Sequence, residues 1–181
     1  MVYYLNLARK RVTCERNMNY IKVETGDGDR ILINASKITD NLYLGGAIYD
    51  RNLLENFLRQ ENISAVLTVW NDPPVFVGKT DIIDAIDNYL YINIDDNEHA
   101  NIQSHFSKTF DFLLHKIDLE KRRVYVHCHA GVSRSATIVI HYLTKRTGYN
   151  LNEIYNYVAS KRNVINPNPA FKRQLMSEFL S

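Results

Sequence analysis

The chain has 181 residues, 45% of them hydrophobic and 23% charged, an ordinary globular balance for one domain that can bury a core. That balance excludes collagen-like repeats, a coiled coil and a disordered chain. Lys and Arg number 22 against 20 Asp and Glu, so the net charge of +2 provides no overall basic field to mark a nucleic-acid binder.

In chain order, residues 1–30 have poor periodicity and end in the turn-rich Thr25-Gly26-Asp27-Gly28-Asp29. They are expected to form an N-terminal extension, a helix or a dimerisation arm outside a main domain of residues 31–181. Ile38 to Gly46, ITDNLYLGG, predicts a short strand closed by a glycine turn. Leu53, Leu54, Phe57 and Leu58 predict a helix over 50–61, and the β-branched Ile63–Trp70 a buried strand stopped at Pro73-Pro74. Tyr89–Ile94 reads as another strand, running into the acidic loop Asp95-Asp96-Asn97-Glu98. Phe106, Phe110, Leu113, Leu114 and Ile117 form one apolar stripe, predicting a helix near 102–119. Val124-Tyr125-Val126 is a short strand, followed by HCHAGVSRSAT at 127–137 and a buried helix to about Thr144. Leu151, Ile154, Tyr155 and Val158 predict a further helix. Asn168-Pro169 caps the last one, in which Phe171, Leu175 and Phe179 are spaced four apart. Strands alternating with helices imply an α/β fold, a single domain with a central, mostly parallel twisted sheet flanked by helices.

Two cysteines, Cys14 and Cys128, cannot build a disulfide framework, which points to a reducing, intracellular setting. The start, MVYYLNLARKR, lacks the order of a secretory signal. Ala136–Leu143, interrupted by His141, is far shorter than the roughly 20 residues that span a bilayer, so no membrane partner is expected. From Lys121 to Arg173 ten basic residues face one acid, Glu153, a local +9. Such a segment is either a solvated face or a surface that attracts an anion, and the HCHAGVSRSAT loop at its centre favours the second.

The chemistry lies in Cys128, five intervening residues, then Arg134, set between a strand and a helix. Small residues there let several backbone N–H groups converge at a helix N-terminus, a ready anion site. Arg134 adds a planar fork that matches two phosphate oxygens. Electropositive surroundings favour thiolate over thiol, and a thiolate facing a phosphoryl group is a nucleophile. A phosphate ester also needs a proton donor for its leaving oxygen, for which Asp95, Asp96 and Glu98 are the candidates.

Residues 127–137 resemble the HCxxGxxR signature of cysteine-dependent protein phosphatases, and their Gly-Val-Ser-Arg-Ser-Ala-Thr ending resembles the dual-specificity branch. ITDNLYLGG, IDDNEHANI and VASKRNVINPNPAFKRQL extend the likeness over about 36–180. The N-P-x-F-K-R-Q run is similar to the H1-type phosphatases of poxviruses. The resemblance implies a protein-tyrosine-phosphatase-like fold and hydrolysis of phosphotyrosine and phosphoserine or phosphothreonine through a phosphocysteine intermediate. It implies Cys128 as nucleophile, with the backbone of His129, Ala130, Gly131, Val132, Ser133 and Arg134, and the Arg134 side chain, holding phosphate. Ser135 would ease departure of the sulfur, and His127 would orient the loop and help keep the thiol ionised. Counting back ten residues from Phe106, as in the family, selects Asp96 as the acid, with Asp95 the alternative.

No cofactor and no metal is called for. The implied partners are phosphorylated proteins, with nucleic acid and membrane disfavoured. A homodimer through the N-terminal segment would follow the poxvirus analogy, and the location would be cytoplasm or nucleus, or virion or host cell for a viral chain. Rival readings are the same chemistry on RNA 5′-triphosphate or phosphoinositide, and a non-catalytic phosphoprotein-binding module. The signature loop lacks the extra lysines suited to a highly charged headgroup. His141 and Thr144 depart from the small or apolar residues usual in the family's helix. Arg162, Asn166 and Asn168 are expected to brace the signature loop.

Overall fold

Short strands with period-two alternation can bury both faces only if helices cover both, and this chain does so. A computed structural model describes residues 18–26, 28–80, 82–83 and 86–179. Its main sheet has the order β3-β4-β7-β5-β6, built from β3 (Ala35–Thr39), β4 (Leu42–Gly45), β5 (Ile63–Val69), β6 (Tyr89–Ile92) and β7 (Arg123–His127). β4, β7, β5 and β6 pair in parallel, and β3 closes one edge antiparallel to β4. The ITDNLYLGG segment is therefore two strands, with its turn at Asp40-Asn41 and not at the glycines.

The two sheet faces carry separate cores. On one, Leu42, Leu44, Ala65, Leu67, Val124 and Val126 meet α2 (Phe106–Leu113), α3 (Arg134–Thr147), α4 (Leu151–Lys161) and α5 (Pro169–Phe179). On the other, Tyr43, Val66 and Tyr125 meet α1 (Arg51–Gln60). The Asp50 carboxylate accepts from Leu53 N–H at 2.8 Å to start α1, whose Leu54, Phe57 and Leu58 are buried. Each such side chain removed from water contributes about 1.5–3 kcal/mol.

β1 (Ile21–Glu24) and β2 (Arg30–Ile33) form an antiparallel hairpin that sequence periodicity did not reveal. It crosses residue 30, and Val23 and Ile33 join the core around Phe57 and Tyr125. The expected dimerisation arm and Cys14 fall mostly or wholly on residues 1–17, outside the described residues. The helix expected near 102–119 is composite: a 3-10 turn over Gln103–His105, then α2, then a π-helical turn over Leu114–Leu119. Within that π turn, Asp118 accepts from the Tyr142 hydroxyl at 2.8 Å and from Arg146. Burial alone would raise the Asp118 pKa, but those hydrogen bonds hold it below the usual carboxylate value. Among the described residues no helix is long and apolar enough to cross a membrane.

The +9 segment is not one patch. β7 runs into the signature loop and α3 runs back, so Lys121, Arg122, Arg123, Lys145 and Arg146 lie at the end remote from Cys128. Arg122 pairs with Glu120 at 2.5 Å, and Arg123 donates to the Glu61 carbonyl at 2.8 Å. Of the ten cations, Arg134 and Arg162 are those that hydrogen bonds or ion pairs tie directly to the signature loop or to Asp96.

Candidate active site

At the carboxyl ends of the parallel strands, Gly45 and Thr68 stand in register with His127, and the chain leaves the sheet there at Cys128. Ligands of open α/β sheets bind at such an end. Residues 128–133 curl into the N-terminus of α3. Gly131 adopts φ +69°, and a Cβ there would lie 2.3 Å from the Gly45 backbone and 2.7 Å from Arg162. Glycine is required on both counts.

The carbonyls explain the loop's shape. The Cys128 carbonyl accepts from His127 Nδ1 at 3.2 Å, and that of His129 from Ala47 N–H at 2.8 Å. The Ala130 carbonyl accepts from Asn34 Nδ2 at 3.2 Å and Arg162 Nη2 at 3.3 Å, and that of Gly131 from Arg162 Nε at 2.8 Å. Asn166 N–H takes the Val132 carbonyl at 2.9 Å, and Thr137 N–H takes that of Ser133 at 2.9 Å. In a trans peptide the N–H points opposite the C=O. Holding six successive carbonyls outward turns the N–H groups of residues 129–134 toward a common centre.

Cys128 Sγ sits at that centre, 1% exposed, accepting from Gly131 N–H at 3.2 Å and from Ser135 Oγ at 3.1 Å. Arg134 closes one side. Its Nη1 donates to Asn71 Oδ1 at 3.2 Å and the Ile94 carbonyl at 3.1 Å. Its buried Nε has no hydrogen bond among the described residues and stands 3.5 Å from Asp96 Oδ2. Asp96 Oδ1 accepts from Ser133 Oγ at 2.8 Å and Asn168 Nδ2 at 2.8 Å. Asp96 is thus the acidic-loop residue tied to the signature loop. Asp95 and Glu98 are exposed in the same loop.

His127 is buried, and that desolvation lowers its pKa to about 4 despite the Cys128 carbonyl. It is therefore neutral at pH 7. Nδ1 must carry the proton to donate to a carbonyl, so Nε2 accepts from Thr68 Oγ1 at 2.8 Å. Of the two roles expected for His127, orienting the loop fits this geometry. A positive charge to hold the sulfur ionised does not.

The expected braces are in place. Arg162 reaches Ala130 and Gly131, Asn166 takes Val132 through its backbone, and Asn168 N–H donates to Ser133 Oγ at 3.1 Å. Sequence reasoning missed Thr68, Asn71, Asn34 and the close approach of the Gly45 backbone to Gly131. A threonine inside the apolar VLTVW run was a signal for the first. Asn34 gave none.

The catalytic domain of dual specificity phosphatases matches residues 42–179. The chain belongs to that family. It is 37% identical over 144 residues to AMV078 of Amsacta moorei entomopoxvirus, which carries a provisional tyrosine-protein phosphatase name. That alignment covers 79% of this chain and 85% of the relative. The crystal structure of Cydia pomonella PTP-2 phosphatase superposes with a TM-score of 0.73 at 27% identity, covering 79% of this chain and 88% of that one. A human tyrosine phosphatase-like serine/threonine/tyrosine-interacting protein superposes at 0.66 and 28%, covering 78% and 93%. The dual specificity phosphatases are cysteine-dependent hydrolases of phosphorylated proteins, and this chain is one of them.

Proposed function

We propose that this phosphatase hydrolyses phosphotyrosine and phosphoserine or phosphothreonine in proteins by two displacements at Cys128. In the first, the sulfur attacks phosphorus, an S–P bond forms and the ester P–O bond breaks. The N–H groups of His129, Ala130, Gly131, Val132, Ser133 and Arg134, with the Arg134 guanidinium, hold the three non-bridging oxygens as charge shifts among them. Asp96, as carboxylic acid, gives its proton to the leaving oxygen. In the second, the Asp96 carboxylate takes a proton from water as that water attacks phosphorus. The S–P bond breaks, Ser135 donates to the departing sulfur, and inorganic phosphate leaves. His127 fixes the first peptide of the loop.

The observation that carries this reading is the sulfur receiving two hydrogen bonds, from Gly131 and Ser135, with Arg134 and Asp96 paired beside it. A non-catalytic phosphate-binding module would need the loop N–H groups and Arg134, but neither Ser135 on the sulfur nor Asp96 beside it. Cys128→Ser should abolish turnover yet retain affinity for phosphopeptide. Asp96→Asn should lower kcat/KM, which reports the first displacement, about a hundredfold or more on phosphothreonyl peptide while barely lowering it on p-nitrophenyl phosphate, whose leaving group needs little protonation. Equal losses of kcat/KM on both substrates would remove Asp96 from the acid's role.

A further inference from the structure

Beside the phosphate loop stands a corner of three aromatic rings that the chemistry above does not use. Tyr49 follows the Gly45-Gly46-Ala47 stretch whose backbone holds the His129 carbonyl, and it is 63% exposed. Its ring stands edge-on to Trp70 at 6.2 Å and to His129 at 6.3 Å. The Trp70 and His129 rings are themselves 5.1 Å apart. His129 immediately follows the nucleophile, and Trp70 precedes Asn71, which anchors Arg134. The corner is thus fastened to both sides of the site.

We propose that Tyr49, with Trp70 and His129 behind it, is a specificity wall that favours phosphotyrosine over phosphothreonine and phosphoserine. This rests on the phosphatase reading. In an aryl phosphate the ring is one oxygen away from phosphorus, so with phosphorus at Cys128 the ring leaves the loop past its rim. There it finds aromatic partners already held in place, which cost little further ordering on binding. Phosphothreonine offers a short alkyl group at the same depth and gains no ring contact. In a 5′-triphosphorylated RNA the base is separated from the terminal phosphorus by two more phosphates and a ribose, too remote for this corner.

The test is kcat/KM on one peptide sequence bearing phosphotyrosine or phosphothreonine, with 5′-triphosphorylated RNA as a third substrate. The unaltered protein should favour phosphotyrosine. Tyr49→Ala should lower kcat/KM on phosphotyrosine about three- to tenfold, the range expected for one aromatic pair, and leave phosphothreonine unchanged. Tyr49→Phe should keep the preference, because the ring and not the hydroxyl makes the contact. An unchanged phosphotyrosine-to-phosphothreonine ratio in Tyr49→Ala, an equal loss in Tyr49→Phe, or a preference for the RNA would overturn the wall while leaving Cys128 chemistry standing. Failure of the unaltered protein to turn over any of the three would overturn the phosphatase reading and the wall together.

Discussion

His141 gives a sharp expectation for stability against pH. It lies on α3, 0% exposed, stacked on Phe106 of α2 at 4.0 Å, with Phe110 at 6.3 Å and Phe179 of α5 at 5.4 Å. Neither ring nitrogen has a hydrogen-bond partner among the described residues, and Nε2 is 3.7 Å from Glu178 of α5. Burial lowers its pKa from 6.5 to about 4; Glu178 opposes that shift and Lys145 assists it. A depressed folded-state pKa means the unfolded chain binds the proton first, so stability is full above 6.5 and falls as pH drops toward 4. Between about pH 7.5 and pH 5 the loss from this one side chain comes to about 2 kcal/mol. His127, also lowered to about 4, adds a loss of the same sign in the same window. His141→Leu keeps volume, removes two unsatisfied polar atoms and deletes one of the two contributions. Urea unfolding of parent and variant at both pH values should show a variant more stable at each and about 2 kcal/mol less pH-sensitive. Identical pH dependence in the two proteins would refute the assignment of His141 as buried and neutral.

Two further outcomes concern the loop. Gly131→Ala combines the φ +69° cost with a Cβ 2.3 Å from the Gly45 backbone, so it should destabilise the fold by about 2 kcal/mol or more and abolish turnover. Thermal unfolding and a p-nitrophenyl phosphate assay read both effects. Ser135→Ala should slow the second displacement more than the first, since its hydroxyl donates to Cys128 Sγ. Rapid mixing should then show a burst of p-nitrophenol followed by a slow steady state, and mass spectrometry should detect phosphorylated protein.

Much of this was legible because single residues carry strong local constraints. Asn168 before Pro169 caps the last helix as expected, accepting from Phe171 N–H at 2.9 Å, and the structure adds Asp50 and Asn150 as caps of α1 and α4. The apolar strand leading into Cys128-x5-Arg134 placed Cys128 between a strand and a helix, where β7 and α3 are found. What could not be read was long-range. The β1–β2 hairpin consists of two four-residue strands whose exposed Ile31 and Leu32 break the expected alternation. The +9 count failed as a spatial argument because β7 and α3 are antiparallel segments, and charges at the far end of each are neighbours of one another and not of the loop. Asn34 and Thr68 act on residues 96 and 59 positions away, which no periodicity reports.

Arg162 shows how those distant contacts serve the chemistry. It is 0% exposed and donates to the Gly131, Ala130 and Asn19 carbonyls, Asn34 Oδ1 and Ser36 Oγ. Burying a guanidinium costs several kcal/mol, and a carboxylate partner would be the usual compensation. All five acceptors are instead neutral. A carboxylate would have cancelled the charge, whereas carbonyl and amide oxygens satisfy the donors and leave the positive charge in place beneath the anion loop. Burial lowers its pKa, while Tyr125 and Cys128 oppose that shift, so the guanidinium and the sulfur sense each other directly. The same five bonds join the segment before β1, the β2–β3 junction, the loop and the end of α4. One buried cation therefore both holds two of the loop carbonyls away from the proposed phosphate site and adds positive charge beneath it.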